Sequence, residues 1–196
     1  MKVAGVILAA GNASRYGGIK QLAALDGRPM LLHCLSAYQD LGLAQTVVVL
    51  GAYADKIEPI MPDWVDMVVN PDWQQGMGSS LASAIKWLHS DISHVLVGLA
   101  DQPDISALQL AALLKRAKQY KDCRIAAEYA QGPGVPAIFP SIDFAALAKL
   151  NGDKGAKALL LAEPSRLKTL PMVQAATDID TQDELKQWQQ ARGKRP

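Results

Sequence analysis

The chain has 196 residues, 49% of them apolar and 20% charged, which suits one globular domain over 1–196. Its 20 basic and 19 acidic residues leave a net charge of +1, so the overall balance points to neither nucleic acid nor a membrane surface as partner. No apolar run approaches the ~20 residues that span a bilayer, and Met1-Lys2 with Val3–Ala10 leads into glycine and arginine rather than a cleavage site, so a cytoplasmic protein is expected.

In chain order, Val3–Leu8 reads as a buried strand that runs into the loop "AAGNASRYGGIK". Pro29–Leu41 sets Leu31, Leu32, Leu35 and Tyr38 at helical spacing. Thr46–Leu50, "TVVVL", is a β-branched strand that ends at Gly51. Tyr53–Met61 predicts a short helix and Val65–Val69 a strand. Ser80–Leu88 carries Leu81, Ala84, Ile85 and Leu88 on one helical face. His94–Leu99 is a strand ending at "ADQPD", and Ala107–Tyr120 an amphipathic helix. Arg124–Ala127 and Ala137–Phe139 are short strands around a Gly/Pro turn, "QGPGVPA". Phe144–Leu150 and Gly155–Ala162 predict helices, Leu167–Leu170 a late strand, and Thr181–Arg192 a closing helix with acidic and capping residues at its start.

This alternation predicts an α/β sandwich around a mostly parallel sheet. Ligands of such sheets bind beyond the carboxyl ends of the strands. The loops Ala9–Lys20, Asn70–Ser80 and Ala100–Asp104 should therefore share one mouth. Cys34 and Cys123 read as buried free thiols, and His33, His89 and His94 show no metal-ligand spacing.

The opening loop fits neither common nucleotide motif. It lacks G-x-G-x-x-G, and Lys20 is followed by Gln21 rather than Ser or Thr. Its chemistry still suits phosphate. Small residues let backbone N–H groups approach an anion, Arg15 can fork onto phosphate oxygens, and Lys20 adds a point charge. A tight turn with two solvated cations is the plain alternative. Asp101, at the end of an apolar strand, suits a hard cation or caps a turn before Gln102-Pro103. "GMGSSL" opens a helix, where its serines serve either a ligand or the cap.

The whole strings carry more. "LAAGNASRYGGIK" is similar to the L-A-A-G-x-[ST]-x-R-x-G-x-x-K signature of small-molecule nucleotidyltransferases, with one spacing choice changed inside the loop. "NPDWQQGMGSSLASAI", "LADQPD", "NGDKGAKALL" and "DIDTQDEL" follow in order over nearly the full chain. Together they resemble the molybdenum cofactor cytidylyltransferase-like family. The resemblance implies a three-layer α/β sandwich around a Rossmann-like sheet of the nucleotide-diphospho-sugar transferase type. It implies transfer of CMP from CTP to the terminal phosphate of molybdopterin, with Mg²⁺ as cofactor and pyrophosphate as leaving group. Transient contact with a molybdoenzyme or its chaperone would follow.

By the same resemblance, Arg15, Lys20 and Asp101 are the catalytic residues. The nucleotide would be held by Leu8, Ala9, Ala10, Gly11, Arg15, Lys20, Asn70, Gly78, Ser79, Ser80 and Asp101. The acceptor would meet Gln102, Pro136, Asp153 and Lys157, where the family often has arginine at the last position. The metal would sit on Asp101 and Asp180, with Asp178 the near competitor. Related guanylyltransferases carry L-A-G-G after the first strand, so "LAAG" favours cytosine. Trp73 either stacks on a flat ring or fills the core. GTP, or another phosphorylated acceptor, is the alternative within the class. A non-catalytic molybdenum cofactor carrier is the alternative outside it.

Overall fold

The computed structural model describes residues 1–152 and 155–193. Its strands are β1 (Val3–Leu8), β2 (Ala24–Leu25), β3 (Arg28–Pro29), β4 (Gln45–Leu50), β5 (Asp66–Val69), β6 (His94–Leu99), β7 (Arg124–Tyr129), β8 (Gly132–Pro140) and β9 (Leu167–Pro171). The helices are α1 (Met30–Ser36), α2 (Ala54–Ile57), α3 (Met77–Trp87), α4 (Ala107–Gln119), α5 (Phe144–Leu147), α6 (Lys157–Leu161) and α7 (Gln182–Gly193). Seven strands form one sheet in the order β5-β4-β1-β6-β8-β7-β9. β1 pairs in parallel with β4 on one side and β6 on the other. Only β8 runs against its neighbours β6 and β7.

Alternation along the strands builds the layers. Ile7, Val48 and Leu96 point to one face and meet Leu31 and Leu35 of α1 and Leu110 and Leu113 of α4. Val6, Leu8, Val49 and Val97 point to the other, against Leu81 and Ile85 of α3, Leu147 of α5 and Leu160 of α6. Because both faces are covered, β1 and β4 are buried at every residue and read as continuous apolar runs. A smaller third core joins Leu25, Met30 and Cys34 to Ile179 and Trp188, and so docks α7 beside the sheet. The result is the mostly parallel α/β sandwich expected from the alternation, in the three layers that the resemblance implied. Among the described residues no helix is long and apolar enough to cross a membrane.

Several elements differ from the sequence expectation; the helix expected over Pro29–Leu41 ends at Ser36, and the short β2–β3 hairpin was not expected. The Tyr53–Met61 helix is α only over Ala54–Ile57 and becomes 3-10 from Glu58, where Pro59 removes an N–H and its ring crowds the preceding turn. α3 starts a turn early, at Met77, because Gly76 takes φ 98 and starts the helix there. The "QGPGVPA" segment is no loose turn. It is the first half of β8, hydrogen-bonded to β7 through the pairs Tyr129↔Gly132 and Glu128↔Pro133. The register then slips from Ala127↔Gly134 to Ala126↔Ala137, so Val135 and Pro136 form a bulge that accommodates a residue with no N–H.

Candidate active site

The carboxyl ends of β1 and β6 and the start of α3 open into one cleft of about 650 Å³. The Ala9–Lys20 loop forms one wall, and neighbours outside the loop hold its first carbonyls. The Ala9 N–H donates to the Val49 carbonyl at 2.9 Å, and the Ala10 carbonyl accepts from the Ala52 N–H at 3.1 Å. The carbonyls of Ala9 and Gly11 both accept from the Gln21 side chain, at 2.9 and 3.0 Å. Among the described residues, the N–H groups of residues 10–15 donate to no backbone or side-chain group. A loop with its early carbonyls tied and a run of free N–H groups is a cradle for an anion.

Lys20 lies between two carboxylates from distant parts of the chain. Its ammonium donates to Asp101 at 2.7 Å and to Asp180 at 2.8 Å. Arg15, three-quarters exposed, donates to the second oxygen of Asp180 at 2.7 Å. Asp180 reaches the cleft because the Ile179 N–H bonds the Asp101 carbonyl at 3.0 Å and lays the carboxy-terminal segment across the mouth. Burial pulls the Lys20 ammonium down, but Asp101 and Asp180 outweigh it and hold it above the ordinary lysine value. Burial would raise Asp180, yet Lys20 and Arg15 bring it below the usual carboxylate range. Asp178 is raised by burial and by its neighbours Asp101 and Asp180.

The carboxylates are hard oxygen donors, the kind Mg²⁺ or Mn²⁺ takes one or two of. One oxygen of Asp101 is buried with no partner, which leaves that group short of positive charge. The pair therefore fits a divalent cation completed by ligand oxygens. Among the described residues no group of three or more His, Cys, Asp or Glu is placed to hold a metal without such help.

Of the residues singled out from the sequence, Leu8, Ala9, Ala10, Gly11, Arg15, Lys20, Ser80, Asp101 and Asp180 line this cleft. Six others lie outside its lining. Asn70 is buried beneath it and donates to the hydroxyls of Ser79 and Ser80 at 2.9 and 3.1 Å. The Ser79 hydroxyl turns back to the carbonyls of Asp72 and Gly76. The Gly78 N–H bonds the Gly152 carbonyl at 2.9 Å, so the first turn of α3 packs on the segment beginning Asn151. Gln102 is buried and donates to the Ala175 carbonyl at 2.9 Å. Pro136 is buried in the β8 bulge, and Lys157 is exposed at the start of α6. Asp153, with Lys154, lies outside the described residues.

The sequence reading passed over Gln21, Met77 and Gln74, which also line the cleft with Trp73. Gln21 follows Lys20 directly, and a polar residue in an otherwise apolar stretch, "IKQLAAL", was the available signal.

The profile of the MobA-like NTP transferase domain matches residues 5–167, most of the chain. The chain belongs to this family. The matched span holds the whole cradle and Asp101, while Asp180 lies beyond it. A nicotine blue oxidoreductase of Paenarthrobacter nicotinovorans is 30% identical over 198 residues, covering 93% of this chain and 94% of its own. The Rv0371c protein of Mycobacterium tuberculosis H37Rv superposes with a TM-score of 0.85 at 28% identity, over 97% of this chain and 99% of that one. A structure of the same protein is a complex with manganese, similar at a TM-score of 0.81. A molybdopterin-guanine dinucleotide biosynthesis protein A from Archaeoglobus fulgidus shares the fold at 18% identity and a TM-score of 0.71, over the full length of both chains.

Proposed function

We propose that this nucleotidyltransferase moves CMP from CTP to the terminal phosphate of molybdopterin and releases pyrophosphate. The observation that carries the reading is the loop of residues 10–15, whose N–H groups have no partner among the described residues, lining a cleft together with Lys20, Asp101 and Asp180. An acceptor phosphate is already an anion near neutral pH, so its oxygen attacks the α-phosphorus in line without a general base. The chain's task is then to align two polyanions and offset their charge.

In this reading the loop amides hold the triphosphate. Arg15 and Lys20 leave their carboxylate partners for phosphate oxygens and follow the charge that develops as pyrophosphate departs. Asp101 and Asp180 would hold Mg²⁺, which supplies charge neutralisation and orients the phosphates. Gln102, Pro136, Asp153 and Lys157 remain the acceptor side. "LAAG" supports cytosine over guanine through the family likeness stated above. GTP, or another phosphorylated acceptor, is the alternative that keeps the same chemistry.

A second reading follows from the relative named as an oxidoreductase, which aligns over nearly the full length of both chains. Against it stands a loop without the G-x-G-x-x-G spacing of dinucleotide sites. One experiment separates the readings. Pyrophosphate release is measured with Mg²⁺ and molybdopterin against CTP, GTP, ATP and UTP, and nicotinamide cofactor oxidation is followed in parallel. Release confined to CTP, and lost in Asp101→Ala, supports the proposal. Release with GTP alone moves the assignment to guanylyl transfer. Nicotinamide turnover without pyrophosphate release overturns it.

A further inference from the structure

We infer that Gln21 is a positioning residue whose side-chain amide sets the polarity of the loop for a polyphosphate chain. The inference rests on the nucleotidyltransferase reading above. Gln21 is only 4% exposed, directly after Lys20, and packs beneath the loop rather than in the charge network. The orientation of its amide is fixed by its partners. The carbonyls of Ala9 and Gly11 can only accept, so the NH₂ end must face them, at 2.9 and 3.0 Å.

A planar trans peptide turns the consequence outward. The carbonyl of one residue and the N–H of the next point in opposite directions. Tying the Ala9 carbonyl to Gln21 aims the Ala10 N–H away from Gln21. Tying the Gly11 carbonyl does the same for the Asn12 N–H. Ala10 and Asn12 both line the cleft, and neither N–H has a partner among the described residues. The Ala10 carbonyl between them is held by Ala52, which aims the Gly11 N–H in turn. A single side chain thus keeps two carbonyl oxygens away from the place where anionic oxygens must sit.

The other end of the amide supports this role. The Gln21 side-chain oxygen is buried with no partner. Here both N–H donors go to the loop, and the acceptor is left unmet. A methionine fills similar space and donates nothing. Its loop would be free to turn a carbonyl toward the ligand.

The test uses Gln21→Met and inorganic tripolyphosphate, which has no base, ribose or acceptor group. Calorimetric titration should show affinity at least about tenfold weaker than wild type, with cooperative unfolding retained. In turnover, KM for the nucleotide should rise while KM for the acceptor stays level, a split that a merely structural residue would not produce. Unchanged tripolyphosphate affinity overturns the inference. Should Gln21→Met fail to fold, amide exchange in the wild type decides. Slowed exchange at residues 10 and 12 on adding tripolyphosphate supports it, and binding without such slowing overturns it. A wild type that binds neither tripolyphosphate nor any nucleoside triphosphate overturns this inference and the nucleotidyltransferase reading together. A wild type that binds both, matched by the variant, overturns this inference alone.

Discussion

At the scale of single residues, charge is held in reserve. Lys20 lies 2.7 and 2.8 Å from the two carboxylates that would take a metal, and so stands where positive charge is needed. Lys20→Met should therefore act in two directions. Turnover should fall by about 10²-fold or more, as when an oriented donor to a developing anion is lost. Mn²⁺ affinity without nucleotide, read by electron paramagnetic resonance, should rise because the ammonium no longer competes for Asp101 and Asp180. Arg15→Ala should lower turnover while leaving that metal affinity nearly level, since among the described residues Arg15 pairs with Asp180 and not Asp101, and it is largely exposed. A separate acid response comes from histidine. Burial holds His94 below its ordinary value, against the opposing pull of the Lys121 carbonyl at 2.9 Å, and burial with Arg192 does the same for His33. Groups shifted this way contribute stability that is present above the unfolded histidine value and lost as pH falls through the lower folded one. The melting temperature should drop as pH goes from about 7.5 to about 5, and His94→Gln should flatten part of that slope.

At the scale of elements, glycines decide which segments touch. A Cβ on Gly78 would lie 2.7 Å from the Asn151 carbonyl oxygen and 2.9 Å from its nitrogen. Backbone on both sides cannot yield cheaply, so Gly78→Ala should cost about 1–3 kcal/mol by overpacking, measured as a lowered denaturant midpoint. The same substitution should raise the nucleotide KM, because α3 carries Met77 and Ser80 into the cleft. This explains why "GMGSSL" was only half legible. Small residues before a helix announce close approach, but the sequence does not say to what. Gly76 starts the helix through its positive φ, and Gly78 admits Asn151, a residue far along the chain. The β8 strand shows the opposite difficulty. Three prolines and two glycines over Gly132–Pro140 signal a turn locally, yet the sheet holds them, because a bulge lets Pro136 sit where no N–H is required. The Asp26-Gly27 turn between β2 and β3 was passed over in the sequence, although its dipeptide is a hairpin signal and both residues take positive φ there.

At the scale of the molecule, two long-range ties join segments far apart in the chain. Arg124, 1% exposed on β7, donates to Asp143 at 2.8 Å through both Nε and Nη2 and to Glu163 at 3.1 Å. It thereby fixes the segments before α5 and after α6 to the sheet. Arg124→Leu leaves the buried Asp143 carboxylate, among the described residues, with only the longer contact to Arg166, at 3.4 Å, and should destabilise the fold by about 3–5 kcal/mol, seen in chemical unfolding. The second tie is the carboxy-terminal segment, pinned by Trp188 on Asp104 at 3.0 Å and by Gln182 on the Tyr16 carbonyl at 3.2 Å. The sequence by itself determined the alternation of strands and helices, the doubly covered sheet, and the cationic loop after β1. Each of these follows from local periodicity and residue type, and the family likeness follows from short contiguous strings. Only the tertiary structure decided that the Lys20 ammonium bridges Asp101 and Asp180, that Asn70 and Gly78 support α3 rather than line the cleft, and that the Gln21 amide ties two carbonyls of the loop. The Lys20 and Gly78 placements depend on pairings across large sequence separations, and those of Asn70 and Gln21 on the direction in which side chain and peptide turn, which no local pattern encodes.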